Sequence, residues 1–166
     1  MPVHAHGFRL KENNMKELRR KERAIPDEDA MAMLNEAEYG VLSTVDEKGK
    51  PYGVPLNFCV IDHCVYFHCA VEGHKIDNIR NNASVSFCVV GNAEIAPEKF
   101  STKYASVIVF GEAEEVFAAE KQTGLEGLLR KYSAEFFDSG LKYIEGLREK
   151  TSVFRIRIEK LTGKAN

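Results

Sequence analysis

The sequence predicts a mainly β protein with peripheral helices, folded as a six-stranded antiparallel barrel that is closed or nearly closed. Six short segments rich in β-branched and aromatic residues recur along the chain, with turn residues between most of them. The two clearest helical patterns come late in the sequence. The 166 residues, 44% hydrophobic and 29% charged, suffice for one domain with a hydrophobic core.

Charge and cysteine content narrow the class of protein. The formal net charge of −2 gives no electrostatic reason to expect nucleic-acid binding. No apolar run approaches the roughly 20 residues that span a bilayer, and the first residues lack the apolar core of a signal peptide, so we expect a cytoplasmic protein. The four cysteines form no CxxC motif and fall in predicted strands, as buried thiols of a reducing compartment do.

The N-terminal part of the chain is predicted to be the least regular. Residues 1–14 are polar and predict a flexible extension, whereas 15–166 form a single domain. The charged stretch 15–23 is predicted to be helical. Residues 30–37 carry apolar side chains at helical spacing after three acidic residues, which predicts a short helix over one end of the barrel.

Strands dominate the next part of the sequence. Residues 41–45 are largely β-branched and predict the first strand, and a turn at 46–49 leads into a long strand over 51–61. Asp62-His63 marks a tight reversal into a strand over 64–70. These last two strands are predicted to form a hairpin.

The remaining elements follow from similar patterns. A helix is predicted near 74–81, a strand over 84–90 and a loop over 91–103. Residues 104–116 are the longest predicted strand, with Gly111 as a bulge or bend. Two amphipathic helices are then predicted from leucine-rich stripes, followed by a final alternating strand. The stripes are at 118–132 and 141–147, and the strand begins at Val153.

Two prolines interrupt the strand over 51–61. Because Pro51 and Pro55 have no backbone N–H, this strand is predicted to lie at an edge or a bulge, with some backbone groups free. Free backbone donors and acceptors can bind a planar heteroaromatic ring. Further along, Gly73 permits a sharp turn and Lys75 lies in the first turn of a helix, where N–H groups favour an anion such as phosphate.

Six spaced motifs together resemble the NimA-like flavin-nucleotide-binding proteins of the pyridoxamine 5′-phosphate oxidase-like split-barrel superfamily. The resemblance extends over nearly the whole chain, from about residue 15 to residue 164. The motifs are YGVLST at 39–44, GKPYGVPLNF at 49–58, YFH at 66–68, GHKIDNI at 73–79, SVSF at 84–87 and YASV at 104–107.

The resemblance implies a split β-barrel that binds FMN, forms a homodimer with the cofactor at the subunit interface, and acts as an oxidoreductase, with a nitroimidazole-type nitroreductase as one form. His68 is the candidate catalytic residue, because an imidazole near a flavin could stabilise negative charge or relay a proton. The implied cofactor-binding residues are Val54, Pro55, Leu56 and Asn57 at the ring, His68 and Cys69 along the cofactor, Gly73, His74 and Lys75 at the phosphate, and Ser106 on the long strand.

Other interpretations remain open at the level of sequence. The protein could be a non-catalytic flavin- or haem-binding module, because no acid–base pair is evident and fold does not settle chemistry. A deazaflavin would need more basic surface than His74 and Lys75 supply. His68 could be a core histidine. A zinc site is disfavoured because strand alternation turns His68 and Cys69 to opposite faces, so no metal is expected.

Overall fold

Antiparallel strands dominate the structure, a computed structural model that describes residues 16–166. The predicted extension over 1–14 lies outside the described residues. The strands are β1 (Gly40–Val45), β2 (Pro51–Leu56), β3 (Cys59–Ile61), β4 (Cys64–Cys69), β5 (Ser84–Val90), β6 (Glu94–Ala96), β7 (Ser101–Lys103), β8 (Ala105–Val116) and β9 (Ser152–Ala165). The helices are α1 (Asp27–Glu36), α2 (His74–Asn81), α3 (Ala118–Tyr132) and α4 (Phe137–Leu147).

Seven of these strands form one antiparallel sheet in the order β2-β1-β5-β8-β9-β4-β3. The sheet is not closed, because β2 and β3 are its opposite edges although they are consecutive in the chain. The predicted class, a mainly β antiparallel fold with helices, is therefore confirmed. The strand count differs, since the main sheet has seven strands and the predicted loop over 91–103 contains the separate two-stranded ribbon of β6 and β7.

The strand predicted over 51–61 is broken at Asn57 and Phe58, so the prediction of one continuous strand was wrong. Its first part, β2, pairs with β1, and its last part, β3, forms the predicted tight hairpin with β4. The backbone N–H of Phe58 donates to the Tyr132 hydroxyl at 3.1 Å, and the same hydroxyl lies 3.0 Å from the Phe58 carbonyl oxygen. A side chain of α3 therefore replaces ladder bonding at the break.

The helix predicted over 15–23 is also not found: the structure describes residues 16–23 of this stretch, and they form no α-helix. Residues 16–20 have no regular structure, and only Lys21–Arg23 forms a 3-10 turn. Basic side chains three and four positions apart would repel one another along such a helix. The ion pair of Glu17 with Lys21 is exposed and offsets little of this repulsion.

The hydrophobic side chains form two clusters on opposite faces of β4. Val65 and Phe67 point into the main core, which the curled sheet encloses together with α1 and α2. Tyr66 points the other way, into a second cluster that α3 and α4 cover. Because side chains alternate along a strand, His68 continues the Tyr66 face and is directed toward α3 and α4.

The structure also tests the predictions for Gly111 and the cysteines, and it shows the lengths of the helices. Gly111 lies at a register shift between β8 and β9, which confirms the predicted bulge. The four cysteines are free thiols. None of the helices in the described chain is long and apolar enough to cross a bilayer.

Candidate functional site

Strand β2 presents one free edge. Val54, Pro55 and Leu56 pair with β1 on one side, and β2 is terminal in the sheet, so no described strand pairs with its other side. This confirms that the proline-bearing strand lies at an edge. Gly53 and Pro55 are exposed, whereas Tyr52 and Val54 are half-buried. The backbone of β2 is therefore accessible to a flat ligand.

The start of α2 leaves backbone N–H groups without intrahelical partners. Gly73 has φ 141°, a backbone conformation that side chains rarely adopt, and its carbonyl accepts the N–H groups of Ile76 and Asp77 at 2.9 and 3.1 Å. The preceding N–H groups, those of His74 and Lys75, have no carbonyl one turn earlier to bind. With the half-buried Lys75 side chain, they form a positively polarised corner.

This corner is held against β2 by an aromatic contact. The rings of His74 and Tyr52 lie 4.1 Å apart between centroids at an angle of 31°. His74 is exposed, so the contact orients the imidazole and leaves its other face open. The predicted ring-binding strand and the predicted phosphate-binding helix are thus adjacent.

His68 and Cys69 lie at the end of β4, and the charge of Lys75 acts on both. The His68 side chain is accessible, yet packing around the imidazole partly desolvates it and lowers its pKa below the ordinary 6.5, and Lys75 lowers this pKa further. Burial raises the pKa of the Cys69 thiol, and Lys75 opposes that shift. Cys69 packs against the main core, so it faces away from His68.

We predict that Lys75→Met raises the pKa of His68 toward 6.5, because one of the two causes of its depression is removed. NMR titration of the imidazole measures this without any cofactor. Below 6.5 the folded state binds fewer protons at His68 than the unfolded chain, so this residue's contribution to the free energy of unfolding falls as the pH falls through that range. Lys142→Met, a change on the exposed face of α4, should leave the His68 pKa unchanged. An unchanged His68 pKa in Lys75→Met would contradict the proximity of the His68 and Lys75 side chains.

Two cavities meet at Asn57 and Tyr132. The first, of about 650 Å³, is lined by the end of β2 (Pro55, Leu56), by Tyr132, and by charged residues that include Lys131. The second, of about 370 Å³, lies between α3 and α4 and reaches His68. Tyr132 separates the two, and its hydroxyl also lies 2.6 Å from the Glu38 carbonyl oxygen.

Lys131 places a buried positive charge beside the first cavity. Its Nζ lies 3.9 Å from the centroid of the Phe58 ring and has no hydrogen-bond partner among the described residues. Burial lowers the pKa of this amine. An ammonium group over an aromatic face is stabilised by the ring, but its hydrogen-bonding capacity remains unused.

A buried polar contact links α2 to strands β1 and β2. Asn78 is 2% exposed, and its Nδ2 donates to the Thr44 Oγ1 at 2.9 Å. The Thr44 hydroxyl in turn lies 3.4 Å from the Tyr52 carbonyl oxygen. The buried Asn78 amide therefore helps to position the start of α2 relative to β2, together with the contact between the His74 and Tyr52 rings.

We predict that Asn78→Ala lowers the free energy of unfolding by about 1–3 kcal/mol, because it removes a buried hydrogen bond and leaves a cavity. Asn81→Ala, at an exposed position of the same helix, is the matched control and should change stability by less than about 0.5 kcal/mol. Denaturant unfolding of both variants measures the difference. Equal effects of the two substitutions would show that the buried contact contributes nothing.

Within one chain, Ser106 lies far from the predicted ring-binding residues of β2. It lies in β8, three strands away from β2, which corresponds to roughly 14 Å at normal strand spacing. The buried neighbour Val107 points inward, so Ser106 lies on the outer face of the sheet. No group of three potential metal ligands occurs among residues 16–166.

The open antiparallel sheet, with an exposed edge strand beside a glycine-led helix, defines the class of split-barrel proteins. The chain belongs to the pyridoxamine 5′-phosphate oxidase family, whose family model matches residues 26–165. Among curated proteins, none matches the chain significantly.

Several solved structures share the fold. A candidate 5-nitroimidazole antibiotic resistance protein from Bacteroides thetaiotaomicron has a TM-score of 0.72 at 22% identity, covering 86% of each chain. An FAD-binding protein from Mesorhizobium loti has a TM-score of 0.63 at 25% identity, covering 87% of this chain and 97% of its own. A haem storage protein from Vibrio cholerae has a TM-score of 0.61 at 17% identity, covering 81% of this chain and 92% of its own. The fold is thus shared by proteins described as binding flavin or haem.

Sequence reasoning missed three residues of the site: Asn78, Lys131 and Tyr132. Asn78 reads as an ordinary helix residue, and only its burial against β1 shows its role. Lys131 and Tyr132 lie at the end of α3, far from β2 in sequence. A signal for them was available only in part, since a tyrosine at the end of an amphipathic helix often uses its hydroxyl as a polar anchor.

Proposed function

We propose that the protein binds FMN and acts as an oxidoreductase of the nitroimidazole-type nitroreductase kind, passing electrons from a nicotinamide donor to a small substrate. The observation that carries this proposal is the adjacency of the open β2 edge, the start of α2 with Lys75, and His68. A ring with an anionic tail matches an exposed backbone edge beside a positive corner.

The residues present fit such a cofactor at both ends. The free N–H groups and Lys75 at the start of α2 suit a phosphate, and the free edge from Val54 to Asn57 offers backbone groups to a heterocycle. The ammonium of Lys131, which has no hydrogen-bond partner among the described residues, lies beside the same edge and would stabilise the negative charge that a flavin ring gains on reduction. When bound, the flavin would supply the electron chemistry.

His68 has the second role in this proposal. Its lowered pKa leaves the imidazole uncharged near neutral pH, so it can accept or donate a hydrogen bond at the substrate. Its position on the α3 and α4 side of β4 places it beside a cavity rather than in the main core. The chain would thus use His68 to orient the substrate and hold a proton.

We further propose a homodimer that completes the cofactor site. The outer face of β1, β5 and β8 carries half-exposed or exposed apolar residues, among them Val41 at 37% and Val90 at 59% exposure. Ser106 lies on this face, so it could reach the cofactor only from the partner subunit. Sedimentation should give a dimer at micromolar concentration, and a monomer would contradict this proposal.

The four free thiols suit a cytoplasmic location.

Three successive measurements test the proposed function. FMN added to the purified protein should bind with a change in the flavin absorbance band, and NADH or NADPH under anaerobic conditions should bleach it. A nitroaromatic compound should then restore the oxidised spectrum. Failure to bind FMN would overturn the proposal at its first step.

The second candidate function is a flavin- or haem-binding module without turnover. It is favoured by one observation: the charged group that acts on His68 is Lys75, and within residues 16–166 no carboxylate shifts its pKa as the partner in an acid–base pair would. In this case FMN would bind but remain oxidised with every donor, or haem would bind instead. Mass spectrometry of ligand released from the purified protein distinguishes FMN, haem and a deazaflavin.

A further inference from the structure

The ribbon of β6 and β7 pairs with no other described strand, and it carries the most exposed large hydrophobic side chain of residues 16–166. That side chain is Phe100, which is 99% exposed at the tip of the ribbon, and Ile95 on β6 is 75% exposed. A two-stranded ribbon is at best marginally stable in water when its apolar side chains stay solvated. The ribbon is therefore expected to pack against a surface outside the described chain.

The turn at the tip of the ribbon does not itself require a phenylalanine. Phe100 has φ 48° and ψ 42°, a left-handed conformation that glycine and asparagine adopt at the lowest cost. Main-chain atoms close the turn, because the Phe100 N–H donates to the Pro97 carbonyl at 3.2 Å. A bulky aromatic ring that is both strained and exposed to water is typical of a binding residue.

The ribbon lies beside the face of the sheet that we propose to meet the partner subunit. It leaves the sheet after β5, where the exposed Val90 is paired with Ser106 of β8. The Gly91 N–H donates to the Ala105 carbonyl at 2.9 Å and so closes the base of the ribbon. Phe100 precedes Ser106 by six positions, so the chain places it at most about 20 Å from Ser106. A partner that receives Ser106 is therefore within reach of Phe100.

The charge of the ribbon favours a second copy of this chain as the partner. Residues 94–103 contain two glutamates and two lysines, so their formal charge is zero. Glu94 and Lys103 lie 3.7 Å apart across the ribbon. An anionic membrane or a nucleic acid would attract a basic ribbon, and this one offers no excess of positive charge. A neutral ribbon with exposed apolar side chains suits the apolar centre of a homodimer interface.

We propose that the ribbon of each subunit extends over the partner subunit, and that Phe100 forms an aromatic wall of the partner's flavin site. This inference rests on the proposed function, because it adds a residue of the second subunit to that site. The phenyl ring would contact the flavin heterocycle and keep water from it. Neither the β2 edge nor the start of α2 supplies such an apolar contact within one chain.

Mixed dimers of the full-length protein test whether Phe100 acts on the partner's site. Phe100→Ser and Lys75→Met homodimers should each bind FMN at least about tenfold more weakly than the wild type. In a mixed dimer of the two variants, purified through two different affinity tags, one site then carries both changes and the other carries neither. Half of the sites should therefore recover wild-type affinity. Phe136→Ser, at a phenylalanine before α4 that is 67% exposed, is the matched control and should leave FMN affinity within about twofold.

A second measurement separates a contact with the flavin from mere support of the dimer. The sequence contains no tryptophan, so Phe100→Trp introduces a single fluorophore at the tip of the ribbon. FMN should quench its emission almost completely, and should quench that of Phe136→Trp much less. Equal quenching of the two would overturn the proposed contact, and this test holds even if Phe100→Ser does not dimerise.

The outcomes of the mixing experiment distinguish this inference from the proposals on which it rests. If Phe100 acted within its own chain, every site of the mixed dimer would keep one defect, and the absence of recovery would overturn the proposal. Wild-type affinity in the Phe100→Ser homodimer would overturn it as well. A wild type that binds FMN as a monomer would overturn the dimer and leave the ribbon to another partner. A dimer that binds no FMN would overturn the proposed function and this inference with it.

Discussion

Replacing Lys75 with methionine is expected to weaken FMN binding about 10- to 100-fold. A hydrogen bond between charged groups contributes about 1.5–3 kcal/mol, and each 1.4 kcal/mol corresponds to a factor of ten in the dissociation constant. Methionine keeps the length and apolar character of the side chain, so α2 should remain in place. Titration followed by flavin absorbance or by quenching of flavin fluorescence measures the change.

Two controls make this result specific to the phosphate. Lys142→Met removes the same charge from the exposed face of α4 and should leave FMN affinity within about twofold. Riboflavin, which lacks the phosphate, should bind the wild type and Lys75→Met almost equally. Equal affinity of both variants for FMN would mean that the phosphate lies elsewhere.

Gly111→Ala is expected to lower the free energy of unfolding by about 3 kcal/mol. A Cβ atom at Gly111 would lie 1.9 Å from the carbonyl oxygen of Arg157 and 3.0 Å from its carbonyl carbon. Both are backbone atoms of β9, so no side-chain rotation relieves the clash. The bulge between β8 and β9, the two longest strands, would have to open.

The control for this prediction is Gly146→Ala in α4. A Cβ atom at Gly146 meets no atom within 4 Å, so this substitution should raise the free energy of unfolding by about 0.5–1 kcal/mol through helix propensity alone. Thermal and denaturant unfolding of the two variants should thus shift in opposite directions. A Gly111→Ala variant as stable as the wild type would contradict the bulge geometry.

Local backbone chemistry made part of the site predictable. Pro51 and Pro55 have no backbone N–H to donate to a ladder, so they indicated the edge position of β2. Gly73 before Lys75 indicated the sharp turn into α2, and the structure confirms both features. Gly111 indicated the bulge for another reason, because a glycine inside a strand often marks a bulge or a close approach of two backbones.

The remaining features depend on residues that are distant in sequence. The break at Phe58 is bonded by Tyr132, 74 positions later, so alternation within residues 51–61 could not reveal it. The ribbon of β6 and β7 is short, and Pro97 between its strands resembles a loop signal. Ser106 could contact the cofactor only in a dimer, and the sequence pattern of one chain does not show how two subunits would pack.

The most direct test of the flavin site is the backbone amide NMR spectrum of the protein as FMN is added. The proposed site predicts the largest shift changes at Gly73, His74 and Lys75 at the start of α2, with a second set from Val54 to Asn57. Riboflavin should shift the second set and spare the first, because it lacks the phosphate. Changes that cluster away from both segments would contradict the proposed placement of the cofactor.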